Sequence, residues 1–328
     1  MFDASLFRTG ISRRAFLKYC AILASSLALP PSMSSSLAQG LEQRPRLPVI
    51  WYGFQACTGC TESLLRGTEP GIESLILDYL SLDFHDTLQA AAGQRAEAAC
   101  QQSMARNRGR YLLVVEGAIP LGARGEYSTC AGLTNLQLLR EAAEGAAAIL
   151  AVGSCAAFGG LPAAAPNPTH ARSVQQLMDM GRIPRRPLAN LPGCPPVPMV
   201  LSATLAHCAA LGGFPELDDH LRPRVFYGAT IHDRCPRLPF YRQGLFAERF
   251  DDEGARKGWC LFKLGCKGPA THNACAEVRW NQGTSFPVES GHPCIACSEP
   301  DFWDSAGFYR PLRGRIPIAA AGASTPST

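Results

Sequence analysis

The sequence predicts an open α/β domain followed by a cysteine-rich domain with little regular structure. Three observations carry that expectation. Short apolar runs alternate with helical stretches from Leu47 to about Gly213. Three of the four apolar runs lead directly into cysteines. Beyond Gly213 the alternation stops, and six of the 14 cysteines crowd between His232 and Cys297 among Gly265, Gly268, Pro269, Gly283, Pro287, Gly291 and Pro293. A segment so poor in periodicity cannot be held by one apolar face. Disulfides, zinc or iron–sulfur clusters are the candidates for holding it.

A chain of 328 residues suggests about two domains. Its first residues stand apart from both. Ser12-Arg13-Arg14-Ala15-Phe16-Leu17-Lys18 is a twin-arginine motif, followed by the apolar run Tyr19–Leu29 and by Pro30-Pro31. Ser36-Leu37-Ala38 offers the small residues a signal peptidase accepts, so residues 1–38 read as an export signal cleaved near Ala38. The apolar run is far shorter than the roughly 20 residues that span a bilayer. Residues 1–38 hold four Lys/Arg and one Asp, which leaves 27 basic and 26 acidic residues and a formal net charge of +1. No basic run suggests a nucleic-acid partner.

Strands are expected at Pro48–Phe54, Tyr111–Glu116, Ala147–Val152 and Leu188–Leu191. All are short and apolar, as parallel strands buried on both faces are. Helices are expected at Ile72–Tyr79, Gln89–Arg106, Leu133–Glu144, Ala171–Met180 and Val197–Leu211, with a loop at Pro162–Pro168. This alternation is the mark of an open α/β sheet. The Ala-, Ser-, Thr- and Pro-rich residues 316–328 read as a disordered tail.

The first strand leads into Cys57-Thr58-Gly59-Cys60, the third into Gly153-Ser154-Cys155, and the fourth into Pro192-Gly193-Cys194-Pro195-Pro196. Ligands of open α/β sheets bind beyond the carboxyl ends of the strands, so these four sulfurs are candidates for one site. Glycines before Cys155 and Cys194 allow close backbone approach to a bulky ligand. A Cys-x2-Cys pair alone also serves zinc or dithiol redox chemistry, but a dithiol leaves Cys155 and Cys194 idle. In the second domain, Cys260 and Cys266 are candidates to complete a four-ligand set with His232 and Cys235. His272 and His292 lie nearby, so proximity alone does not select His232. Cys275, Cys294 and Cys297 remain, an awkward number for zinc or disulfides but suited to a cluster lacking one iron.

With these residues assembled, the chain resembles the small subunit of a nickel–iron hydrogenase from about Pro48 to Asp304. The motifs that carry the resemblance are Cys57-Thr58-Gly59-Cys60-Thr61-Glu62, Glu116-Gly117-Ala118-Ile119-Pro120, Gly153-Ser154-Cys155-Ala156-Ala157-Phe158-Gly159-Gly160 and Leu191-Pro192-Gly193-Cys194-Pro195-Pro196. The second domain adds Ile231-His232-Asp233-Arg234-Cys235, Gly265-Cys266-Lys267-Gly268-Pro269 and Gly291-His292-Pro293-Cys294-Ile295-Ala296-Cys297.

The fold this implies is a flavodoxin-like open parallel sheet at residues 47–213, then a mostly irregular iron–sulfur domain at 214–315. The resemblance also implies three clusters. A proximal 4Fe–4S cluster would take Cys57, Cys60, Cys155 and Cys194, and a distal 4Fe–4S cluster would take His232, Cys235, Cys260 and Cys266. A medial 3Fe–4S cluster would take Cys275, Cys294 and Cys297, with Pro287 where some relatives supply a further cysteine. Cys20 would leave with the signal, and Cys100, Cys130 and Cys208 read as structural or buried thiols.

The activity implied is reversible oxidation of dihydrogen at a nickel–iron centre in a separate large subunit. Electrons would pass through this chain to an acceptor such as a cytochrome or a membrane redox subunit. Lys263 and Lys267 would tune cluster potentials. Glu62 would be either a proton exit or a salt-bridged carboxylate. Oxygen-tolerant relatives carry extra cysteines where this chain has Gly59 and Gly160, which implies a standard proximal cluster. No apolar stretch near Thr328 is long enough to span a membrane, so the expectation is a periplasmic protein, soluble or held to the membrane through another subunit. Three rival readings are the related quinone-reductase subunit of respiratory complex I, which needs only the proximal-type site, a hydrogen-sensing regulatory relative, against which the export signal counts, and an exported disulfide scaffold.

Overall fold

The computed structural model describes residues 20–312, except 26, 31, 69, 70 and 306. Five parallel strands form the central sheet: β1 (Leu47–Gly53), β2 (Leu80–His85), β3 (Leu112–Glu116), β4 (Ala148–Val152) and β5 (Leu188–Leu191). Their spatial order is β2-β1-β3-β4-β5, the flavodoxin-like order. The chain reverses its direction of travel across the sheet between β1 and β3, which opens a crevice at their carboxyl ends.

The four strands expected from the sequence are present, with ends shifted by no more than one residue. Their side chains are buried on both faces. Val49, Trp51, Val114, Leu150, Val152 and Leu191 face one layer, and Ile50, Tyr52, Leu113, Val115, Ile149 and Ala151 face the other. Strand β2 is an addition. Leu80-Ser81-Leu82-Asp83-Phe84-His85 alternates apolar and polar residues, as an edge strand does, and lacks the continuous apolar character of its neighbours. The helix expected at Ile72–Tyr79 is a single turn, Ile72–Ser74, that opens into a wider π-type turn, Leu75–Tyr79, and feeds β2.

The helices are α1 (Met33–Gln43), α2 (Gly59–Leu65), α3 (Gln94–Arg106), α4 (Asn135–Gly145), α5 (Gly153–Phe158), α6 (Val174–Asp179) and α7 (Pro198–Leu211), with shorter turns between them. Local chemistry sets several ends. Thr134 and Gln137 form a capping box that starts α4, and Ser173 and Gln176 do the same for α6. Helix α7 starts at Pro198 and stops at Gly212, whose φ of 78° suits a glycine end-cap.

Helix α1 packs on α7, with Leu37 and Ala38 buried. The cleavage point expected near Ala38 therefore lies inside a packed helix, and Cys20 and Leu23 also join the core. The twin-arginine motif at Ser12–Lys18 and the tail at 316–328 lie outside the described residues. No helix among the described residues is long and apolar enough to cross a membrane.

Residues 214–310 form turns and short helices, as expected, but buried arginines help to hold them. Arg237 donates to the carbonyls of Val288 (2.8 Å), Trp259 (2.7 Å) and Glu289 (3.2 Å). Arg222 pairs with Asp218 at 2.8 Å and Glu299 at 3.1 Å, and donates to the Ser298 carbonyl at 3.1 Å. These guanidinium groups satisfy carbonyls that no helix or strand partners. Arg222→Met should destabilise the chain by about 3–5 kcal/mol, because two partly buried carboxylates lose their counter-charge. Thermal unfolding of the assembled protein measures this, and an unchanged midpoint would show that the network is dispensable.

Candidate metal centres

The carboxyl edge of the sheet gathers Cys57, Cys60, Cys155 and Cys194. Cys57 follows β1, and Thr58 turns the chain through φ 64° into α2, whose second residue is Cys60. Gly153 follows β4 and opens α5 with φ +83°, and a Cβ there would lie 2.5 Å from the Cys60 sulfur. Only glycine lets the Cys155 segment approach Cys60 this closely. Cys57 and Cys194 are exposed, Cys155 is partly buried and Cys60 is buried. Burial raises the Cys60 thiol well above its usual range, followed by the charge of Glu116 and then by Cys155, Cys57 and Cys194. Burial likewise lifts Cys155 to about 12, with Cys194 and Cys57 adding to it. Cys155, Cys57 and Cys194 are thus all felt at Cys60.

Glu116 is a feature that sequence reasoning passed over as one residue of a motif. Its side chain is 2% exposed. One oxygen accepts from the Cys60 amide at 3.0 Å. The other accepts from the Thr61 amide at 3.2 Å, the Thr61 hydroxyl at 2.6 Å and the Trp51 indole at 3.2 Å. The Thr61 hydroxyl also meets His85 Nε2 at 3.2 Å, and burial lowers His85 to about 4. The segment that carries Cys60 is therefore fixed by three hydrogen bonds to one carboxylate, which the Trp51 indole in turn holds in place. Glu62, by contrast, is exposed and paired with Arg66 at 2.8 Å, the salt-bridged alternative of the sequence reading.

A second group lies in a pocket lined by His232, Cys235, Cys260 and Cys266. Burial lifts Cys260 to about 11, with Cys266 and Cys235 adding to the shift. The structure separates the three histidines that the sequence left open. His272 is bonded to Glu299 at 3.2 Å, and His292 is bonded to the Pro293 carbonyl and the Tyr309 hydroxyl, each at 3.0 Å. The Nε2 of His232 is buried without a hydrogen-bond partner. A buried polar atom left so is costly unless a ligand completes it.

The third group is Cys275, Cys294 and Cys297. Burial raises Cys275 to about 12, followed by the influence of Cys294. It also raises Cys297 to about 12, followed by Cys275. Pro287 is exposed between buried Phe286 and Val288.

No disulfide joins the cysteines among the described residues, and Cys20, Cys100, Cys130 and Cys208 stand outside the three groups. Among the described residues, no three His, Cys, Asp or Glu side chains converge tightly enough to hold a single metal ion. Buried thiols that raise one another's pKa resist ionisation unless a cationic group compensates them, and a coordinated metal does so outright. The donor chemistry of the three groups therefore fits iron–sulfur clusters.

Adjacent groups touch. The Ser154 hydroxyl donates to the Cys297 carbonyl and accepts from the Gly193 amide at 2.9 Å. Ser154, the residue before Cys155, thereby joins the first group to the third. The Cys294 amide lies 3.4 Å from the Cys266 sulfur, and the Lys267 amide donates to the Cys294 carbonyl at 2.8 Å. This joins the third group to the second. Lys267 is buried and within electrostatic reach of both Cys266 and Cys294, whereas Lys263 pairs with Glu248 at the surface.

The family model for the C-terminal part of the NiFe/NiFeSe hydrogenase small subunit matches residues 227–310. The family model for the NADH ubiquinone oxidoreductase 20 Kd subunit matches residues 57–208. The uptake hydrogenase small subunit of Azotobacter vinelandii is 46% identical over 305 residues, spanning 93% of this chain and 84% of that protein. The hydrogenase-1 small chain of Escherichia coli K12 is 44% identical over 308 residues, spanning 94% and 82% respectively. The solved Ni-Fe-Se hydrogenase of Desulfomicrobium baculatum matches with a TM-score of 0.75 and 39% identity, over 82% of this chain and 100% of that chain. Agreement along nearly the whole chain, through both domains, places this protein in the small-subunit family of the nickel–iron hydrogenases.

Proposed function

We propose that this chain is the electron conductor of a hydrogenase heterodimer. It passes electrons between hydrogen chemistry in the large subunit and an external acceptor, such as a cytochrome or a membrane redox subunit. Cys57, Cys60, Cys155 and Cys194 would hold a 4Fe–4S cluster, and His232, Cys235, Cys260 and Cys266 a second. Cys275, Cys294 and Cys297 would hold a 3Fe–4S cluster between them. The observation that carries the reading is the pair of direct contacts between ligand segments, Ser154 beside Cys155 to Cys297 and Cys294 to Cys266. Both contacts support an order in which the three-cysteine group lies between the other two.

When bound, the clusters supply stations that gain and lose single electrons. The protein's own residues do the rest. Exposed Cys57 and Cys194, with exposed Leu65 and Leu161 nearby, turn the first site toward the large subunit. Glu116 fixes the Cys60 segment by three hydrogen bonds and is itself held by the Trp51 indole. Lys267 puts positive charge between the second and third sites, which favours their reduced forms. The match of residues 57–208 to a quinone-reductase subunit accounts for the first domain alone. The ligands beyond residue 213 have no use in that reading.

Export by the twin-arginine route to the periplasm rests on Ser12–Lys18 and belongs to the same proposal. Iron and acid-labile sulfide in the purified heterodimer test the function. Both should match two 4Fe–4S clusters and one 3Fe–4S cluster, beyond the large subunit's own iron. A colourless small subunit without sulfide would overturn the proposal.

A further inference from the structure

The segment read as a removable signal is packed as part of the protein. Leu23, Leu27, Leu37 and Ala38 lie in one apolar cluster with Ala206 and Ala210 of α7. Every residue of α7 from Val200 to Ala210 is buried, as in a helix covered on all sides. Helix α1 supplies part of that cover. The two helices meet at Gly40, where a Cβ would lie 2.1 Å from the Ala210 carbonyl oxygen. No side chain fits there, so glycine sets how closely α1 approaches α7. Just past α1, the Arg46 guanidinium donates to the Leu77 carbonyl at 3.0 Å and anchors the chain.

This packing conflicts with processing. A peptidase takes its substrate as an extended chain and pairs with backbone groups around the bond it cuts. Around Ala38 those groups belong to α1, which runs from Met33 to Gln43. Leu37 is buried and Ala38 is 8% exposed. The apolar run that ends at Leu29 is withheld as well, since Leu23 and Leu27 cannot enter a membrane while they fill the core. Cleavage and membrane engagement therefore both need the segment to open first.

We propose that residues 20–43 form a latch. In the unprocessed chain they dock on α7 and withhold both the apolar run and the Ala38 cleavage point, and undocking precedes export and cleavage. This rests on the export reading of residues 1–38. The peptidase adds water across the bond between Ala38 and Gln39, and the fold decides when that bond can be reached.

The test uses the heterodimer purified from the cytoplasm with the whole small-subunit chain, its mass confirming that residues 1–38 are present. Elastase cuts after small residues, so it probes the bond after Ala38 without detergent. In the heterodimer that cut should be about 100-fold slower than in a synthetic peptide of residues 20–46. Gly40→Ala should speed it about tenfold relative to a peptide with the same change, because the new methyl group pushes α1 off Ala210. Alanine favours a helix over glycine, so faster cutting reports lost packing and not a weaker helix. Equal rates in the unmodified heterodimer and its peptide, or no acceleration by Gly40→Ala, would overturn the latch. If Gly40→Ala fails to pair with the large subunit, hydrogen exchange in the unmodified heterodimer decides. Amides of residues 37–41 should be protected there, and exchange as fast as in the peptide refutes the docking. A periplasmic enzyme that keeps residues 20–38 defeats the export reading and the latch together. A cleaved enzyme whose whole-chain precursor is unprotected defeats the latch alone.

Discussion

Cys294→Ala in the intact heterodimer should nearly abolish hydrogen oxidation with an external acceptor while hydrogen–deuterium exchange continues. Cys294 belongs to the middle group, and its amide is the contact to the Cys266 sulfur. Its loss removes a proposed medial ligand and opens the path between the first and second groups. The fall in acceptor-linked turnover should exceed the about 10–100-fold losses that follow removal of outer-shell partners at metal sites. Isotope exchange needs no electron to leave the large subunit, so it should remain within a few-fold of the parent. Parallel loss of both activities in a heterodimer that still co-purifies would contradict a purely conducting role for this chain.

Gly153→Ala should empty the first site, whereas Gly109→Ala should not. Both glycines hold φ in the left-handed region, at +83° and +75°. Alanine at either position therefore carries about 1–3 kcal/mol of backbone strain. Only Gly153 has a neighbour in the way, since its new Cβ would lie 2.5 Å from the Cys60 sulfur, while nothing lies within 4 Å of that at Gly109. Glu116 and Trp51 fix the Cys60 segment from behind, so the sulfur has little room to retreat. Gly153→Ala should purify short of one cluster's iron and with less large subunit attached. Gly109→Ala should show only a modest loss of thermal stability. Full iron in Gly153→Ala would mean that the first site is looser than its hydrogen bonds suggest.

The central strands were legible because burial on both faces leaves an uninterrupted apolar run, as at Leu112–Glu116 and Ala148–Val152. Strand β2 was not, because its alternating residues follow a helix-like stretch with no break between them. Cysteines at strand ends were legible, since the carboxyl edge of an open sheet is where such chemistry collects. Spacing alone left His232, His272 and His292 comparable, and the resemblance named His232; of the three, His232 is the one with a buried ring nitrogen that has no partner.

Glu116 reads in sequence as the last residue of a strand. Its four donors come from Trp51, Cys60 and Thr61, 55 to 65 positions away. Arg222 and Arg237 were hidden for the same reason. Arg237's acceptors are backbone carbonyls, which carry no side-chain signature at all. Gly59 and Gly160 stand where the sequence reading placed the extra cysteines of oxygen-tolerant relatives. Gly160 holds φ +59°, and a Cβ there would lie 2.7 Å from the Cys155 sulfur. The backbone at that position therefore resists a cysteine.

Low-temperature electron paramagnetic resonance of the oxidised, iron-replete heterodimer tests the ligand grouping most directly. Cys275, Cys294 and Cys297 provide three thiolates and Pro287 provides none, so a cubane missing one corner should give an odd-electron 3Fe–4S signal. That signal should disappear in Cys294→Ala and survive in Gly153→Ala. A fully loaded enzyme with no 3Fe–4S signal, or one whose signal survives loss of Cys294, would contradict the assignment of the three sites.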